Sequence, residues 1–298
     1  MSAKTVKIAG APISWGVCEV PGWGHQMTPD RVLAEMAELG LGATEFGPLG
    51  FLPVEPADRA AALAKHGMEA VGGFFPIILF KDDFDPLPAV LEELESYAAS
   101  GAKTLVLSAE TGLEGYDTKR PELDAAGWAT LFKNLERIKD AAAAQGVTAV
   151  LHPHVGTMVE TEADVMQVLN GSSIKFCLDT GHMIIGGTDP VAFAKNHADR
   201  VAHSHLKDVN LAVADRVQSG EITYYQGILE GMYVPLGTGD VDVRSIVRSL
   251  IQADYDGWFV LEQDNVINAE PGVGEGPFAD AKASVEFIRA VAAELAAE

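Results

Sequence analysis

The sequence is poor in cysteine and has no long hydrophobic run, and both absences narrow the class of protein it encodes. Its two cysteines, Cys18 and Cys177, are far apart and in no metal-binding spacing, which argues against a disulfide scaffold and favours a reducing compartment. No stretch reaches the length of a membrane span, and residues 1–10 lack the apolar run of a signal peptide. We therefore expect a soluble cytoplasmic protein with no membrane partner.

Basic residues are scarce beside acidic ones. The chain has 21 Lys and Arg against 43 Asp and Glu, which gives a formal net charge of −22. A surface of this sign repels nucleic acid, so we expect no nucleic-acid partner. The charge also argues against a metal-dependent endonuclease, which needs a basic groove.

Short apolar runs alternate with amphipathic helical runs, and no linker, repeat or low-complexity segment interrupts them. Eight strands in strict alternation with helices predict a parallel sheet, and eight strands close a (β/α)₈ barrel at this chain length. The sequence therefore predicts one α/β domain, a TIM barrel over residues 1–298. An open doubly wound sheet is the alternative, but the first strand–helix turn lacks the glycine fingerprint of a dinucleotide site. The predicted strands are 6–14, 43–47, 69–75, 103–108, 148–152, 175–179, 201–205 and 258–262, and the predicted helices are 29–39, 57–66, 87–100, 126–145, 162–169, 190–196, 243–253 and 278–296.

Polar residues gather at the predicted carboxyl ends of the last four strands, where a TIM barrel places its chemistry. Strand five ends in His152-Pro153-His154, and strands six, seven and eight end at Asp179, His205 and Glu262. Five of the eight histidines lie at or beside these strand ends, namely His152, His154, His182, His203 and His205. Carboxylates with one imidazole are ligands for a hard-to-borderline divalent ion, unlike the thiolates of structural zinc sites.

We interpret one residue from each of these four strands as a metal ligand. The candidate ligands are Glu160, Asp179, His205 and Glu262. Asp179 and Glu262 each follow an apolar run that should be buried, which disfavours ordinary solvated acids. Glu160 lies several residues beyond its strand, so His154 or His152 is the alternative fourth ligand; His152 is also a candidate for substrate binding.

Residues near the other strand ends are candidates for binding a polyol. Trp15 and Trp23 flank a glycine-containing loop after strand one, and an indole suits the apolar face of a polyol ring. Core packing is an equal alternative for Trp15. Glu45, at the end of strand two, is a candidate partner of substrate hydroxyls, with a salt-bridged acid as the alternative. The segment 209–233, which carries Tyr224, is long for a loop and predicts a lid.

Several segments resemble the inosose dehydratases of inositol catabolism. They span nearly the whole chain and read APISWGV (11–17), PGWG (21–24), TEFGP (44–48), HPHVGT (152–157), DTGH (179–182) and HLKD (205–208). The motifs at Asp179, His205 and Glu262 are shared with the wider xylose isomerase-like barrels, whereas the opening Trp-Gly segment is more specific to the dehydratases. The resemblance implies a TIM barrel that holds Mn²⁺ or Co²⁺, with Mg²⁺ or Zn²⁺ as alternatives, and it leaves a homo-oligomer open. Many relatives carry a glutamate directly at the end of strand five, where this chain has histidines.

The resemblance also implies a reaction, the dehydration of a keto-inositol such as scyllo-inosose to a cyclohexanedione. The carbon beside the ketone loses a proton, the neighbouring hydroxyl leaves as water, and a metal ion would stabilise the enediolate. His154 is the candidate base and Lys207 or His182 the candidate proton donor, because these side chains can titrate near neutral pH. A carboxylate, Glu160 or Glu262, is the alternative base.

Other reactions at the same site stay open. Isomerisation or epimerisation of a ketose or inosose, and a lyase reaction on 3-keto-glycosides, share the enediolate and differ in the fate of the proton and hydroxyl. A non-catalytic sugar-binding barrel would not need histidine-rich strand ends. Product analysis separates these alternatives.

Overall fold

The computed structural model describes residues 6–298, in which parallel strands alternate with helices around a barrel. The strands are β1 (Ile8–Gly10), β2 (Ala43–Thr44), β3 (Glu69–Ala70), β4 (Gly72–Ile77), β5 (Thr104–Ala109), β6 (Thr148–Leu151), β7 (Lys175–Asp179), β8 (Val201–Leu206), β9 (Asp208–Val209), β10 (Tyr233–Val234) and β11 (Phe259–Leu261). The barrel sheet has the order β3-β2-β1-β11-β8-β7-β6-β5-β4, and all its pairings are parallel, whereas β9 and β10 form a separate antiparallel pair.

The helices surround this sheet. They are α1 (Pro29–Glu38), α2 (Pro56–Lys65), α3 (Leu87–Ser100), α4 (Ala125–Ala144), α5 (Glu162–Gly171), α6 (Thr180–Ile185), α7 (Pro190–Asn196), α8 (Leu211–Gln218), α9 (Tyr224–Leu229), α10 (Val243–Gln252) and α11 (Pro277–Ala297). Their buried apolar faces pack on the outer face of the sheet and form the main hydrophobic core. No helix within residues 6–298 is long and apolar enough to cross a membrane.

The third barrel strand is bent at Val71, and this bend closes the barrel. Its first part, β3, pairs with β2, and its second part, β4, pairs with β5. The Val71 amide donates to the Thr44 carbonyl at 3.0 Å, and the Val71 carbonyl accepts from the amides of Lys103 and Thr104 at 3.0 and 3.1 Å. A glycine is required next to the bend, because a Cβ on Gly72 would lie 1.7 Å from the Thr104 carbonyl oxygen.

Small apolar side chains fill the interior of the barrel towards its amino-terminal end. They form two clusters separate from the main core, which consist of Ala9, Ala11, Ala43, Val71 and Val260, and of Val106, Val150 and Cys177. Side chains alternate between the faces of a strand, so the residue two places beyond Cys177 on β7, which is Asp179, also points inward. The interior therefore changes from apolar to polar along β7.

The TIM barrel predicted from the sequence is confirmed, and the doubly wound sheet is excluded because the sheet closes. The first strand is shorter than predicted: it ends at Gly10, and a 3₁₀ helix occupies Pro12–Trp15. Pro12 has no N–H to continue the ladder, which explains the early end. After β7 the chain forms two helices, α6 and α7, where the sequence predicted one.

The segment between β8 and α10 is built on the β9–β10 pair and carries α8 and α9. Helix α9 begins with a capping box in which Thr223 and Gln226 bond each other's backbone amides. The amide of Tyr224, the first residue of α9, donates to the Asp117 carboxylate at 2.8 Å. The segment predicted as a lid is thus folded against the loop that follows β5.

Candidate metal and substrate site

The end of β7 holds Asp179 in a fixed orientation inside the barrel mouth. One carboxylate oxygen, Oδ1, caps α6 by accepting from the amides of Gly181 at 2.9 Å and His182 at 2.7 Å. The other oxygen, Oδ2, lies 3.2 Å from His152 Nε2 and 3.6 Å from His205 Nδ1. Asp179 is fully buried, so this second oxygen is a rigidly placed anionic donor.

His205 lies between carboxylates on both sides of its ring. Its Nε2 is 2.9 Å from Glu45 Oε1, and its Nδ1 is 2.5 Å from Glu262 Oε2. Burial lowers the pKa of His205, but the electrostatic effects of Cys177, Glu262 and Glu45 outweigh it and raise the pKa well above its usual value. The surrounding acids therefore favour positive charge at His205.

The donor set at this point fits a divalent metal ion. The Nδ1 of His205 and the Oε2 of Glu262 are buried, and neither has a hydrogen-bond partner among residues 6–298; their 2.5 Å contact lies outside hydrogen-bond geometry. One ligand atom each from Asp179, His205 and Glu262 lies within 4.8 Å of the other two. A metal-binding histidine usually donates the N–H of its far nitrogen to a carboxylate and turns its other nitrogen to the metal. His205 is arranged in this way, with Nε2 bonded to Glu45 and Nδ1 turned to the acidic groups.

Glu45 adjoins this cluster, because its carboxylate is hydrogen-bonded to His205. Its Oε1 accepts from Nε2 of both His203, at 2.7 Å, and His205, at 2.9 Å. Burial raises the pKa of Glu45, but the two histidines outweigh this effect and hold the pKa well below its usual range. A permanently ionised Glu45 fixes the ring of His205.

Lys207 places a buried positive charge behind the acidic residues. Its ammonium lies 3.1 Å from Glu262 Oε1, 3.8 Å from Asp179 Oδ2 and in direct contact with Asp264. Burial lowers the pKa of Lys207, but Asp264, Glu262 and Asp179 raise it well above its usual value. The side chain is therefore a cation that orients two acids of the cavity wall.

A cavity of about 310 Å³ opens over these strand ends. Phe74, which is 37% exposed, and Trp23 provide apolar surface, and the indole Nε1 of Trp23 is fixed by the Asn265 carbonyl at 2.9 Å. The polar lining residues are Glu19, Glu45, His152, His154, Glu262 and Asp264, together with the thiol of Cys18. None of the lining side chains among the described residues is Lys or Arg.

His154 presents a neutral imidazole to this cavity. Its Nδ1 is 2.8 Å from the Val155 carbonyl, which can only accept, so Nδ1 carries the proton and Nε2 is free to accept one. Burial, reinforced by His152, lowers the pKa of His154 to about 3. His182 stacks behind it with ring centroids 3.7 Å apart, and burial likewise lowers the pKa of His182 well below its usual value.

The structure does not bring Glu160 to the metal cluster, although the sequence predicted it as a ligand. The chain turns after β6, where the His154 amide donates to the Val159 carbonyl at 2.9 Å. Glu160 consequently points away from the barrel axis, accepts from the Gly156 amide at 3.0 Å and faces Arg120 at 3.7 Å. His152, one of the two alternatives for the fourth position, does lie beside Asp179.

Trp15 is likewise not placed at the cavity, which is a correction to its expected role in substrate binding. The 3₁₀ turn begun by Pro12 directs its indole into the core, where it is fully buried and Nε1 donates to Glu35 Oε2 at 2.8 Å. The core-packing alternative therefore holds for Trp15.

Tyr224 lies one layer behind the cavity wall, with its hydroxyl 2.9 Å from Asp264 Oδ2 and 2.8 Å from the hydroxyl of Tyr233.

Reasoning from the sequence missed several residues of the site, among them Asp264, Phe74 and Tyr116. Asp264 lies two residues beyond Glu262, so the alternation of a strand could have placed both on one face. Phe74 lay within a predicted strand but carried no polar signal. Tyr116, whose ring stacks on His154 with centroids 5.5 Å apart, lies in a loop without a motif, and nothing in the sequence indicated it.

The barrel and its histidine–carboxylate mouth define a class that comparison with known proteins identifies. A family model described as a xylose isomerase-like TIM barrel matches residues 33–291. The chain belongs to this family, in its inosose dehydratase branch: it is 33% identical to an inosose dehydratase of Geobacillus kaustophilus, over 96% of this chain and 95% of that protein. It is also 32% identical to the rhizopine catabolism protein MocC of Rhizobium meliloti, over 88% of this chain and 83% of that protein.

Solved structures with low sequence identity share the fold. The IolI protein, crystallised with a zinc atom, superposes with a TM-score of 0.71 at 13% identity, covering 97% of this chain and 99% of its own. An L-ribulose 3-epimerase superposes with a TM-score of 0.69 at 17% identity, covering 99% of both chains. The fold is thus common to enzymes with different reactions, so the reaction must be argued from the site.

Proposed function

We propose that this protein is a metal-dependent hydro-lyase that dehydrates a keto-inositol of the scyllo-inosose type. The observation that carries the proposal is the cluster of Asp179, His205 and Glu262 at the mouth of a barrel whose sequence relatives are inosose dehydratases. Family membership supports the reaction, and the donor set supports the ion.

The cavity suits an uncharged polyol ring. Its polar groups are carboxylates and imidazoles, which accept hydrogen bonds from hydroxyls, and Phe74 and Trp23 offer apolar faces to ring C–H groups. The absence of Lys and Arg from the described lining removes the usual partners of a phosphate or carboxylate. These features favour a neutral substrate rich in hydroxyls.

We place the ion at Asp179, His205 and Glu262, with His152 as the fourth ligand. Carboxylate and imidazole donors fit Mn²⁺ or Co²⁺ best among the divalent candidates. When bound, such an ion supplies a Lewis acid that stabilises negative charge developing on the substrate ketone. Glu45 keeps Nδ1 of His205 turned towards the cluster, and Lys207 holds the Glu262 carboxylate from behind.

Three residues are proposed to move protons. His154 accepts the proton from the carbon beside the ketone at its free Nε2, because its other nitrogen is committed to the Val155 carbonyl. Lys207 supplies the proton for the leaving hydroxyl, which departs as water. Because Lys207 is buried behind the cavity wall, this proton passes through the Asp264 carboxylate, which contacts Lys207 and lines the cavity. His182 is assigned a positioning role, since its ring stacks on His154 and lies behind it.

The segment 209–233 is proposed to act as a lid. Tyr225 on α9 packs edge-on against Trp23, with centroids 5.6 Å apart, and its hydroxyl donates to the Gly22 carbonyl at 3.3 Å. These contacts join α9 to the loop after β1 across the cavity. Release of them would open the cavity, and their formation would exclude water from the reaction.

The test is incubation of Mn²⁺-loaded protein with scyllo-inosose, followed by mass spectrometry and ultraviolet absorption. We expect a product lighter by one water with the absorption of a conjugated dione. A product of unchanged mass with inverted stereochemistry would instead assign an epimerase, since the same proton abstraction without loss of hydroxyl gives that result.

A further inference from the structure

A thiol lies directly below the proposed metal site. Cys177 is on β7, two residues before Asp179, and is paired with His203 of β8 in the strand register. It is fully buried inside the barrel with Val106 and Val150. The described fold gives it no role in packing that a small apolar residue would not also fill.

Two imidazoles approach this thiol. A nitrogen of His152, a nitrogen of His205 and the Sγ of Cys177 all lie within 4.8 Å of one another, and all three side chains are buried. The Nδ1 atoms of both histidines have no hydrogen-bond partner among residues 6–298. Two buried imidazoles, each with an Nδ1 that makes no hydrogen bond, form with the thiol a second donor set, of softer character than the carboxylates above.

We propose that His152, Cys177 and His205 form a second metal site, which takes a thiophilic divalent ion such as Cd²⁺ or Zn²⁺. Thiolate and imidazole donors select such ions, whereas carboxylate-rich sets suit Mn²⁺. Binding forms a bond from Sγ to the ion, and the thiol proton leaves to solvent. The ion enters through the cavity, because His152 lines it.

The two sites exclude each other because His205 belongs to both. An ion bound by Cys177 engages the side chain of His205, which the cluster with Asp179 and Glu262 also needs. The chain therefore distinguishes ions by depth: a hard ion stays at the strand ends, and a thiophilic ion lies one layer lower. Binding of an ion at this second site does not depend on which reaction the protein catalyses.

The test is an ultraviolet titration of the metal-stripped full-length protein with Cd²⁺, which gives a charge-transfer band when bound by a thiolate. The band should saturate at one ion per chain in the wild type and be lost in both Cys177→Ser and Cys177→Ala. Two variants are used so that misfolding of one of them does not decide the result. Cys18→Ser is the matched control, because Cys18 is the other thiol and belongs to no such cluster among the described residues.

Competition tests the shared histidine. Preloading with Mn²⁺ should suppress the band in proportion to occupancy, and displacement by Cd²⁺ should release Mn²⁺, seen by electron paramagnetic resonance. The proposal is overturned by a band that survives in both Cys177 variants, by no band in the wild type, or by a full band while Mn²⁺ stays bound.

Discussion

At the scale of single residues, Glu45 determines what His205 can do. Its carboxylate is buried, and one of its oxygens, Oε1, accepts hydrogen bonds from both His203 and His205, so this oxygen is committed to the two imidazoles. Outer carboxylates of this kind fix the orientation of a ligating imidazole and raise its basicity. The geometry thus supports a role in orienting a metal-binding histidine, beside the substrate role expected from the sequence, because Glu45 also lines the cavity.

Glu45→Gln should weaken Mn²⁺ binding by roughly 10- to 100-fold, the usual effect of losing an outer partner of a ligand. The amide keeps the shape of the side chain but loses the charge that orients His205. Competition with a metal-sensitive dye would measure the affinity. The control is Glu19→Gln, because Glu19 is another acid that lines the cavity and none of its described contacts is with His205. An unchanged metal affinity with a raised KM would instead leave Glu45 with the substrate role alone.

The sequence placed residues well where strands decide their position. Asp179, His205 and Glu262 come together because parallel strands deliver their carboxyl ends to one mouth. Glu160 and Trp15 were misplaced because each follows a turn, and neither the turn at 154–159 nor the 3₁₀ helix at Pro12–Trp15 has a period that reveals its direction. Tyr116 could not be predicted because its position depends on the fold of a long loop.

At the scale of elements, one arginine attaches the loop 110–124 to the turn that carries His154. Arg120 pairs with Asp164 at 2.8 Å, faces Glu160 at 3.7 Å and donates to the Met158 carbonyl at 3.2 Å. The same loop supplies Tyr116, which stacks between His154 and Tyr224. The loop and the candidate base are therefore positioned together.

Arg120→Met should release the loop and leave two half-buried acids without their cation, at a cost of about 1–2 kcal/mol. We expect faster chymotrypsin cleavage at Leu113 and a lower kcat, because Tyr116 no longer holds the ring of His154. Lys119→Met, an exposed neighbour, is the control. Equal proteolysis and kinetics in both variants would contradict this positioning.

Helices α4 and α5 are joined through Glu136. Its carboxylate accepts from the Ser172 hydroxyl at 2.7 Å and the Ser173 amide at 2.6 Å, and it contacts Lys139. Partial burial raises the pKa of Glu136, but the hydrogen bonds from Lys139, Ser172 and Ser173 outweigh it and lower the pKa to about 2. The folded state therefore favours the ionised form.

A depressed pKa in the folded state contributes stability above the unfolded value, ordinarily near 4.5, and that stability is lost as the pH falls towards 2. Glu136→Gln should cost about 1 kcal/mol at pH 7, a figure reduced because the side chain is partly exposed. Urea unfolding of both proteins between pH 7 and pH 3 would show the difference shrinking below about pH 4.5. A difference independent of pH would show that shape rather than charge matters.

The helices and strands could be predicted from the sequence wherever the hydrophobic periodicity agreed with the residues that typically begin or end such elements. Strand and helix alternation gave the barrel, but the bend at Val71 and the β9–β10 pair were not foreseen. The bend depends on contact of Gly72 with a neighbouring strand, and the pair depends on residues far apart in the chain. Both are tertiary features that local patterns do not carry.

At the scale of the whole molecule, the barrel divides its interior between stability and chemistry. Small apolar residues fill the amino-terminal half, and histidines and acids occupy the carboxyl-terminal half. At this mouth Lys207 and His205 offset part of the negative charge of the buried acids. A divalent ion would complete that compensation.

The dependence of dehydration on this ion is tested most directly with metal-stripped protein and scyllo-inosose, with and without Mn²⁺ or Co²⁺. We expect no dione signal without metal and full activity on reloading. His205→Ala should retain no metal and lose at least about 10³-fold in rate, since charge stabilisation by a metal is worth several kcal/mol. Full conversion by protein shown to hold no metal, or a His205→Ala variant with undiminished rate, would contradict the assignment.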